Sequence, residues 1–301
     1  MSSARREIAL LANPAAGTGR GTRVADAALS RLRAAGLQVH ALAGRDADES
    51  LDLARAAVAD GVDALVVVGG DGMVNIGLQA TATTATPLGI VPAGTGNDVA
   101  RCVGLRGQDP LTATDRVVRA LTTGSRRTLD LARTGGRYYA TVLAAGFDAL
   151  VNERANAMTW PRGQMRYNLA TLAELRTFKP LPYVLQLDSG EGAETVRLEA
   201  MLVAVGNGPS FGGGLRITEG AVLDDGLLDV VIIKPMSKGA LVRTYPKLFK
   251  GTHTTHPQYE RHRVRRVTVA APGIVGYADG ERFGPLPLTI ESVPGALILL
   301  S

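Results

Sequence analysis

The sequence predicts an N-terminal α/β domain on a parallel, doubly wound sheet, followed by a C-terminal antiparallel β-sandwich domain. Three observations predict it. Up to about Asp130, short β-branched or Leu-rich runs alternate with Ala-rich helical stretches, the rhythm of successive βα units. After Arg126 strand-like runs follow one another directly, as in antiparallel sheets. Glycine contributes 36 of 301 residues, above the usual share of about 7%. It clusters after predicted strands instead of recurring periodically, which excludes a collagen-like chain and points to tight backbone turns.

Taken in order, Glu7 to Asn13 (EIALLAN) reads as a strand entering a glycine turn, and Thr22 to Gly36 as a helix stopped by glycine. LQVHAL is the second strand, SLDLARAAVADG the second helix and DALVVVGGDG the third strand, whose unbroken ALVVV run suits burial on both faces. A helix through Met73 to Ala82, the strand PLGIVPAG, the helical piece NDVARCVGL and the helix DPLTATDRVVRALTTG complete the first domain. RTLDLARTGGRYYATVLAAG then reads as two strands joined at Gly135 and Gly136. Further strands are expected at PYVLQLD, TVRLEAMLVAVGNG, GLLDVVIIKP, RVRRVTVAA and IVGYADG, interrupted by helices at GQMRYNLATLAELRTF and SKGALVRTYPKLFKG. The expected division is 1–126, 127–287 and a C-terminal segment 288–301 that can close either domain and return to the first.

Composition narrows the function classes. Hydrophobic residues at 46% and charged residues at 20% fit a globular chain. Aromatics at 4% are too few for a platform that stacks single-stranded nucleic acid, and no nucleic-acid module is recognisable. The single cysteine, Cys102, excludes an internal disulfide and a thiolate-rich metal site, and reads as a small buried hydrophobe. A net charge of +5 suits anionic partners: phosphates or an acidic membrane. The apolar run IALLA is too short for a secretory signal, and no stretch approaches the roughly 18 apolar residues of a membrane span. The expected location is cytoplasmic, with peripheral contact at the inner face of an anionic membrane.

Three glycine clusters each follow a predicted strand: NPAAGTGRG (Asn13 to Gly21), GGDG (Gly69 to Gly72) and AGTGND (Ala93 to Asp98). Ligands of open parallel sheets sit at the carboxyl ends of strands, where backbone N–H groups entering a helix can cradle phosphate. One such loop is most simply a strand-to-helix turn; three at one sheet edge favour a ligand. Asp71 and Asp98 would repel phosphates unless a cation or a transferable proton lies between. The constellation therefore suggests a nucleoside triphosphate with Mg²⁺. It is not a P-loop, since GxxxxGK[ST] is absent, and Gly17, Gly19 and Gly21 do not match GxGxxG, which disfavours a dehydrogenase.

NPAAG, VVVGGDG, LGIVPAGTGND, LDL (Leu129 to Leu131), LDDGLLDV (Leu223 to Val230) and DGE (Asp279 to Glu281) occur in the order seen in, and together resemble, the diacylglycerol kinase catalytic-domain family of lipid kinases. GGDG alone is shared with NAD kinases and phosphofructokinase-like folds. The resemblance implies an ATP-binding α/β domain, a β-sandwich lipid-substrate domain and an active site in the cleft between them. It places ATP phosphates at Asn13, Pro14, Ala15, Ala16 and Gly17, at Gly70, Asp71, Gly72 and Asn75, and at Thr95; read from the residues, Arg20 stands where a basic group would reach phosphate. It gives Asp71 the catalytic Mg²⁺ and Glu281 the role of general base on the acceptor hydroxyl. Asp225 resembles a structural Mg²⁺ ligand completed by carbonyls of Val222 and Leu227, with waters reaching Asp98 and Asp130. Read without the family, LDDG is a β-turn, for which Asp-Gly is a favoured pair. The implied acceptor is diacylglycerol; an NAD kinase and a catalytically weak lipid-binding or regulatory protein are the alternatives, and a homodimer is left open.

Two departures stand out: Met73 and Ile76 occupy positions where the family pattern GGDGTxNE has Thr and Glu. Elsewhere, His253 and His256 in THTTH read as surface residues of a polar loop, and the apolar residues of GFDALVNERANAM and of Trp160 to Phe178 suit either a lipid channel or core. RHRVRRV, with Arg5, Arg6, Arg126 and Arg127, is either a solvated face or a basic patch for anionic lipid.

Overall fold

A computed structural model describes residues 6–12, 20–105, 107, 109–146, 154, 157–160, 169 and 179–301. The chain forms two units, Met1–Leu131 with Val293–Ser301, and Ala132–Ser292.

The first unit carries the predicted βα alternation. Strands β1 (Glu7–Ala12), β2 (Gln38–Leu42), β3 (Ala64–Gly69) and β4 (Leu88–Pro92) lie parallel in the order β2-β1-β3-β4. Helices α1 (Arg20–Ala34), α2 (Ala47–Ala59), α3 (Asp71–Thr81), α4 (Asp98–Cys102) and α5 (Pro110–Thr123) connect or follow them. Alternate strand residues supply opposite faces, because successive side chains of a strand point to opposite sides. Val66 and Gly89 face Val117 of α5, whereas Val67 and Leu88 meet Gly77 of α3. The sheet is therefore covered on both faces, as its unbroken apolar β3 run requires. Asp46 and Asp109 start α2 and α5 by accepting backbone N–H bonds at the helix N-termini.

The second unit begins within β5 (Arg126–Thr134), which turns through Gly135 and Gly136 into β6 (Arg137–Tyr139). A further strand, β7 (Val142–Gly146), follows at once, so the segment read as two strands contains three. Two antiparallel layers result. One orders β12 (Tyr259–Val264), β11 (Leu228–Ile233), β10 (Leu202–Gly206), β7, β14 (Val275–Ala278) and β15 (Glu281–Pro285). The other places β13 (Arg266–Ala270) between β8 (Leu181–Asp188) and the first residues of β16 (Leu288–Leu300), with β9 (Ala193–Ala200) beyond β8. Val203, Val205, Val230 and Ile232 of the first layer pack with Leu185, Leu187, Val267 and Val269 of the second to form the sandwich core. The next helix among the described residues, α6 (Lys238–Lys250), packs Leu241 and Leu248 against the outer side of the first layer.

Two expected single strands are corrected. TVRLEAMLVAVGNG breaks at Met201 into β9 and β10, and the RVRRVTVAA region breaks at Arg265 into β12 and β13, each pair dividing between layers. The last strand serves both units: residues 288–291 pair with β13, while Leu299 pairs in parallel with Leu88 of β4. His253 is corrected too. It is 1% exposed, with its ring edge-on to Tyr259 and Nε2 3.2 Å from the Ile217 carbonyl oxygen, so it is part of the interior. Cys102 is half-buried. No helix among the described residues is long and apolar enough to cross a membrane.

Candidate active site

In the first unit the GGDG and AGTGND turns meet. β3 ends at Gly69 and α3 begins at Asp71, so the chain reverses through Gly70. Gly94, after β4, lies directly against it: a Cβ on Gly94 would stand 2.4 Å from Gly70 Cα. The turns pack backbone on backbone, an approach only glycine permits. Asp71 fastens them together. Its Oδ2 accepts the Asn97 N–H at 2.8 Å and its Oδ1 the Asp98 N–H at 2.6 Å. Asn97, at φ +52°, closes its own turn, with Oδ1 accepting from Gly94 N–H and Nδ2 donating to the Gly94 carbonyl. Arg101 Nη2 donates to the Gly96 carbonyl at 2.9 Å, and its Nε lies 3.7 Å from Asp98 Oδ1.

Several groups around these two turns remain available to a ligand. Among the described residues no side chain caps α3 at Gly70, so the first N–H groups of that helix keep their donor capacity there. Among the described residues nothing lies within 4 Å of a Cβ built on Gly72. One helical turn from Asp71, Asn75 is 6% exposed and its Nδ2 has no partner among the described residues. Thr95 is exposed. Two backbone N–H bonds use half of the roughly four acceptor positions of the Asp71 carboxylate, leaving room for another partner. An anion with a bound cation fits this chemistry: open backbone donors, an unspent buried amide and a carboxylate with remaining lone pairs.

The departures from the family pattern have separate structural accounts. Met73 is buried, and its side chain fills the space over Gly69, where a Cβ would stand 2.6 Å from Met73 Cγ. Ile76 is half-buried. Asp130 is 5% exposed on β5 and accepts the Gly295 N–H at 2.8 Å. Asn13, Pro14, Ala15, Ala16 and Gly17 lie outside the described residues, as does the side chain of Arg20, the first residue of α1. Most of GFDALVNERANAM and of the segment after Trp160 is likewise outside them; Trp160 itself is exposed.

In the second unit Glu281 opens β15, immediately after the two-residue turn Asp279-Gly280. Both turn residues have positive φ, +50° and +81°, as a type I′ hairpin demands. Asp279 is the buried anchor of that turn. One carboxylate oxygen accepts the Ala140 N–H at 2.8 Å; the other accepts the Thr141 N–H at 3.1 Å and the Thr141 hydroxyl. Arg137 steadies the same strand by donating to the Arg282 carbonyl and lying over the Phe283 ring at 4.4 Å. Glu281 itself is half-exposed. Sequence reasoning gave Asp279 no role; the signal was its Asp-Gly turn, which demands an anchor for the strand it starts.

Asp225 is held by a backbone amide and a guanidinium. Its Oδ1 accepts the Leu227 N–H at 3.0 Å and its Oδ2 pairs with Arg263. Arg263 lies opposite Asp229 in the β11–β12 register, and Asp229 pairs with Arg261 at 2.5 Å. Burial pushes the Asp229 carboxyl up, against the opposing pull of Arg261. The result is an acid–arginine ladder that also neutralises two of the arginines in RHRVRRV. Val222 is exposed, and the described residues contain no group of three His, Cys, Asp or Glu side chains that could hold a metal ion. Asp225 and Asp229 thus meet the guanidinium groups of Arg263 and Arg261.

Comparison with known proteins bears on both halves. The Diacylglycerol kinase catalytic domain model matches residues 7–134, and the YegS C-terminal NAD kinase beta sandwich-like domain model matches 141–301. A Mycobacterium tuberculosis protein named diacylglycerol kinase is 44% identical over 98% of this chain and 94% of its own length. This chain belongs to the diacylglycerol kinase family. A Bacillus subtilis diacylglycerol kinase is 26% identical over 86% of the chain and 84% of its own, and a Pseudomonas fluorescens protein named probable lipid kinase YegS-like is 30% identical over 90% and 88%. A crystal structure described as a putative diacylglycerol kinase from Bacillus anthracis superposes with a TM-score of 0.78 at 22% identity, covering 98% of this chain and 95% of that one. That likeness supports the fold: an α/β domain followed by an antiparallel sandwich.

Proposed function

We propose that this chain transfers the γ-phosphoryl group of ATP to the hydroxyl of diacylglycerol, giving phosphatidic acid and ADP. The observation that carries the reading is the Asp71 clamp, which holds two glycine turns in contact beside the uncapped start of α3 and the unspent Asn75 amide. Backbone donors fixed in advance stabilise spreading phosphate charge without reorganisation during the reaction. Gly70, Gly72, Asn75 and Thr95 are assigned to the phosphates, together with Asn13 to Gly17 and Arg20. Mg²⁺ would be held by Asp71 and the phosphates, where it neutralises oxygen charge.

Glu281 is assigned the proton. As the acceptor oxygen bonds to the γ-phosphorus and the bond to the ADP oxygen breaks, the hydroxyl hydrogen passes to the Glu281 carboxylate. Asp279 positions Glu281 by fixing the turn before it. Diacylglycerol is preferred among lipid alcohols because the full-length relatives bear that name.

The test supplies γ-labelled ATP and Mg²⁺ with diacylglycerol, sphingosine or NAD to the wild type and to Glu281→Gln and Asp71→Asn variants. Label is expected in phosphatidic acid with the wild type, and about a hundredfold or more slowly with either variant. Label confined to NADP, or to the sphingosine product, would replace the acceptor; transfer to none would favour a lipid-binding protein. Wild-type rates in Glu281→Gln would remove its assignment.

A further inference from the structure

Helix α6 has two apolar stripes where a surface helix ordinarily has one. Leu241, Thr244 and Leu248, spaced three and four apart, form the inward stripe, with both leucines on the sandwich. Val242, Tyr245 and Phe249 repeat the same spacing one residue later, about 100° round the helix. They are 55%, 40% and 47% exposed. The Tyr245 and Phe249 rings meet edge to face at 5.7 Å, so the outer stripe is a continuous apolar strip. Beyond both stripes the surface carries Arg243, Lys247 and Lys250, and the helix contains no acidic residue. Ser237 caps its start and Gly251, at φ +70°, ends it, so the helix is already formed before anything binds.

We propose that α6 docks on an anionic phospholipid bilayer, laying Val242, Tyr245 and Phe249 into the interface while its cations meet lipid phosphates. An exposed apolar strip beside a wholly basic face is the pattern of interfacial helices, and tyrosine suits the headgroup level, where one end of its ring is apolar and the other wet. Charge decides between occupants. A second copy of the chain would bring three cations against three, whereas an anionic surface complements them. The proposal rests on the lipid-kinase reading, since a diacylglycerol substrate resides in a membrane.

The test measures vesicle co-sedimentation without ATP, on phosphatidylcholine alone and on an equimolar mixture with phosphatidylglycerol. Each cation near such a surface is worth about fivefold in affinity. An Arg243→Gln/Lys247→Gln/Lys250→Gln variant should therefore bind the mixed vesicles on the order of a hundred-fold more weakly. Val242→Ser/Tyr245→Ser/Phe249→Ser should lose about tenfold or more. Both should keep the wild-type melting temperature and wild-type transfer to a water-soluble short-chain diacylglycerol. Wild-type vesicle binding by both variants would overturn the docking surface even if phosphoryl transfer is intact. Conversely, α6-dependent binding without any transfer would overturn the kinase reading and leave the docking surface standing. Sedimentation equilibrium closes the remaining route: a dimer dissociated by the serine substitutions, with vesicle binding unchanged, would assign α6 to a second copy and overturn the proposal.

Discussion

Asp71 and Asp279 perform the same chemistry in the two units with opposite consequences. Each carboxylate bridges two consecutive backbone N–H groups of another turn, Asn97 and Asp98 for the first, Ala140 and Thr141 for the second. Charge-assisted bonds of this kind are stronger than neutral ones and fix turns that backbone pairing alone leaves loose. The difference is access. Asp279 is 4% exposed and adds the Thr141 hydroxyl, so its carboxylate is enclosed by partners, and the base proposed above, Glu281, stands two residues along. Asp71 is half-exposed and stands beside open donors, so one side chain can hold the turn and serve the ligand. A conspicuous acid in a motif is thus a clamp first, and its remaining lone pairs decide whether it is anything more.

The largest effect should come from the group that has no clamp duty. Glu281→Gln is expected to lower kcat by about 10²- to 10⁴-fold, the usual worth of a positioned general base, with the melting temperature unchanged. A comparable fall in stability would make Glu281 structural and break the contrast. Asp71→Asn should also lose activity, by about 10²-fold, but with a stability cost of about 1–2 kcal/mol, because an amide cannot accept at both atoms. Activity lost only in proportion to folded protein would reduce Asp71 to a clamp like Asp279.

Asp279→Ala is the complementary change. It leaves two N–H groups and a hydroxyl buried without their acceptor, a loss of about 3 kcal/mol or more in urea unfolding. Part of the activity should go as well, since Glu281 follows the freed turn. If stability is unaffected, the clamp is not a structural element.

The glycines divide in the same way. Gly94→Ala drives a methyl group onto the Gly70 backbone and should destabilise by about 1–3 kcal/mol while raising KM for ATP. Gly72→Ala meets nothing within 4 Å among the described residues. It should leave stability unchanged or raise it by up to about 1 kcal/mol, as alanine favours a helix, yet still raise KM for ATP. Unchanged KM in Gly72→Ala would mean that its open space is not where phosphate lies.

Much of this was legible before any coordinates. The βα alternation, the hairpin at Gly135 and Gly136, and the glycine turns are local signals: runs of ALVVV, helix stops and loops between them. The splits at Met201 and Arg265 also left a trace. Ala200 and Met201 are adjacent and both buried, and Val264 and Val267 are three apart, so the two-residue alternation slips phase where the chain changes layer. The partners were not legible. Asp71 bonds amides 26 and 27 residues away, and Asp279 bonds residues 139 and 138 away, contacts set by packing rather than spacing. Arg263 of β12 likewise reaches Asp225, 38 residues earlier in the chain, an ion pair that spacing does not announce.

His253 offers the smallest test, and it extends the comparison from carboxylates to a buried base. Burial is the main cause that lowers its pKa, partly offset by the Ile217 carbonyl and by the charge of Glu219. The folded protein therefore holds the ring neutral below the ordinary value of 6.5. Above that value neither state carries the proton, so His253 costs nothing. As pH falls below it, the unfolded chain takes up the proton first and stability declines, until the folded-state pKa is reached and the decline stops. The slope is bounded by one proton, about 1.4 kcal/mol per pH unit. The lowered carboxylates Glu260 and Glu291 act in the same direction but only near and below their ordinary 4.5, and raised Asp229 acts oppositely, above its ordinary 3.8. Urea unfolding at about pH 7.5 and about pH 5.5 should show a loss in the wild type that is smaller in His253→Gln. An equal loss in both proteins would assign the dependence to other groups and leave His253 as packing alone.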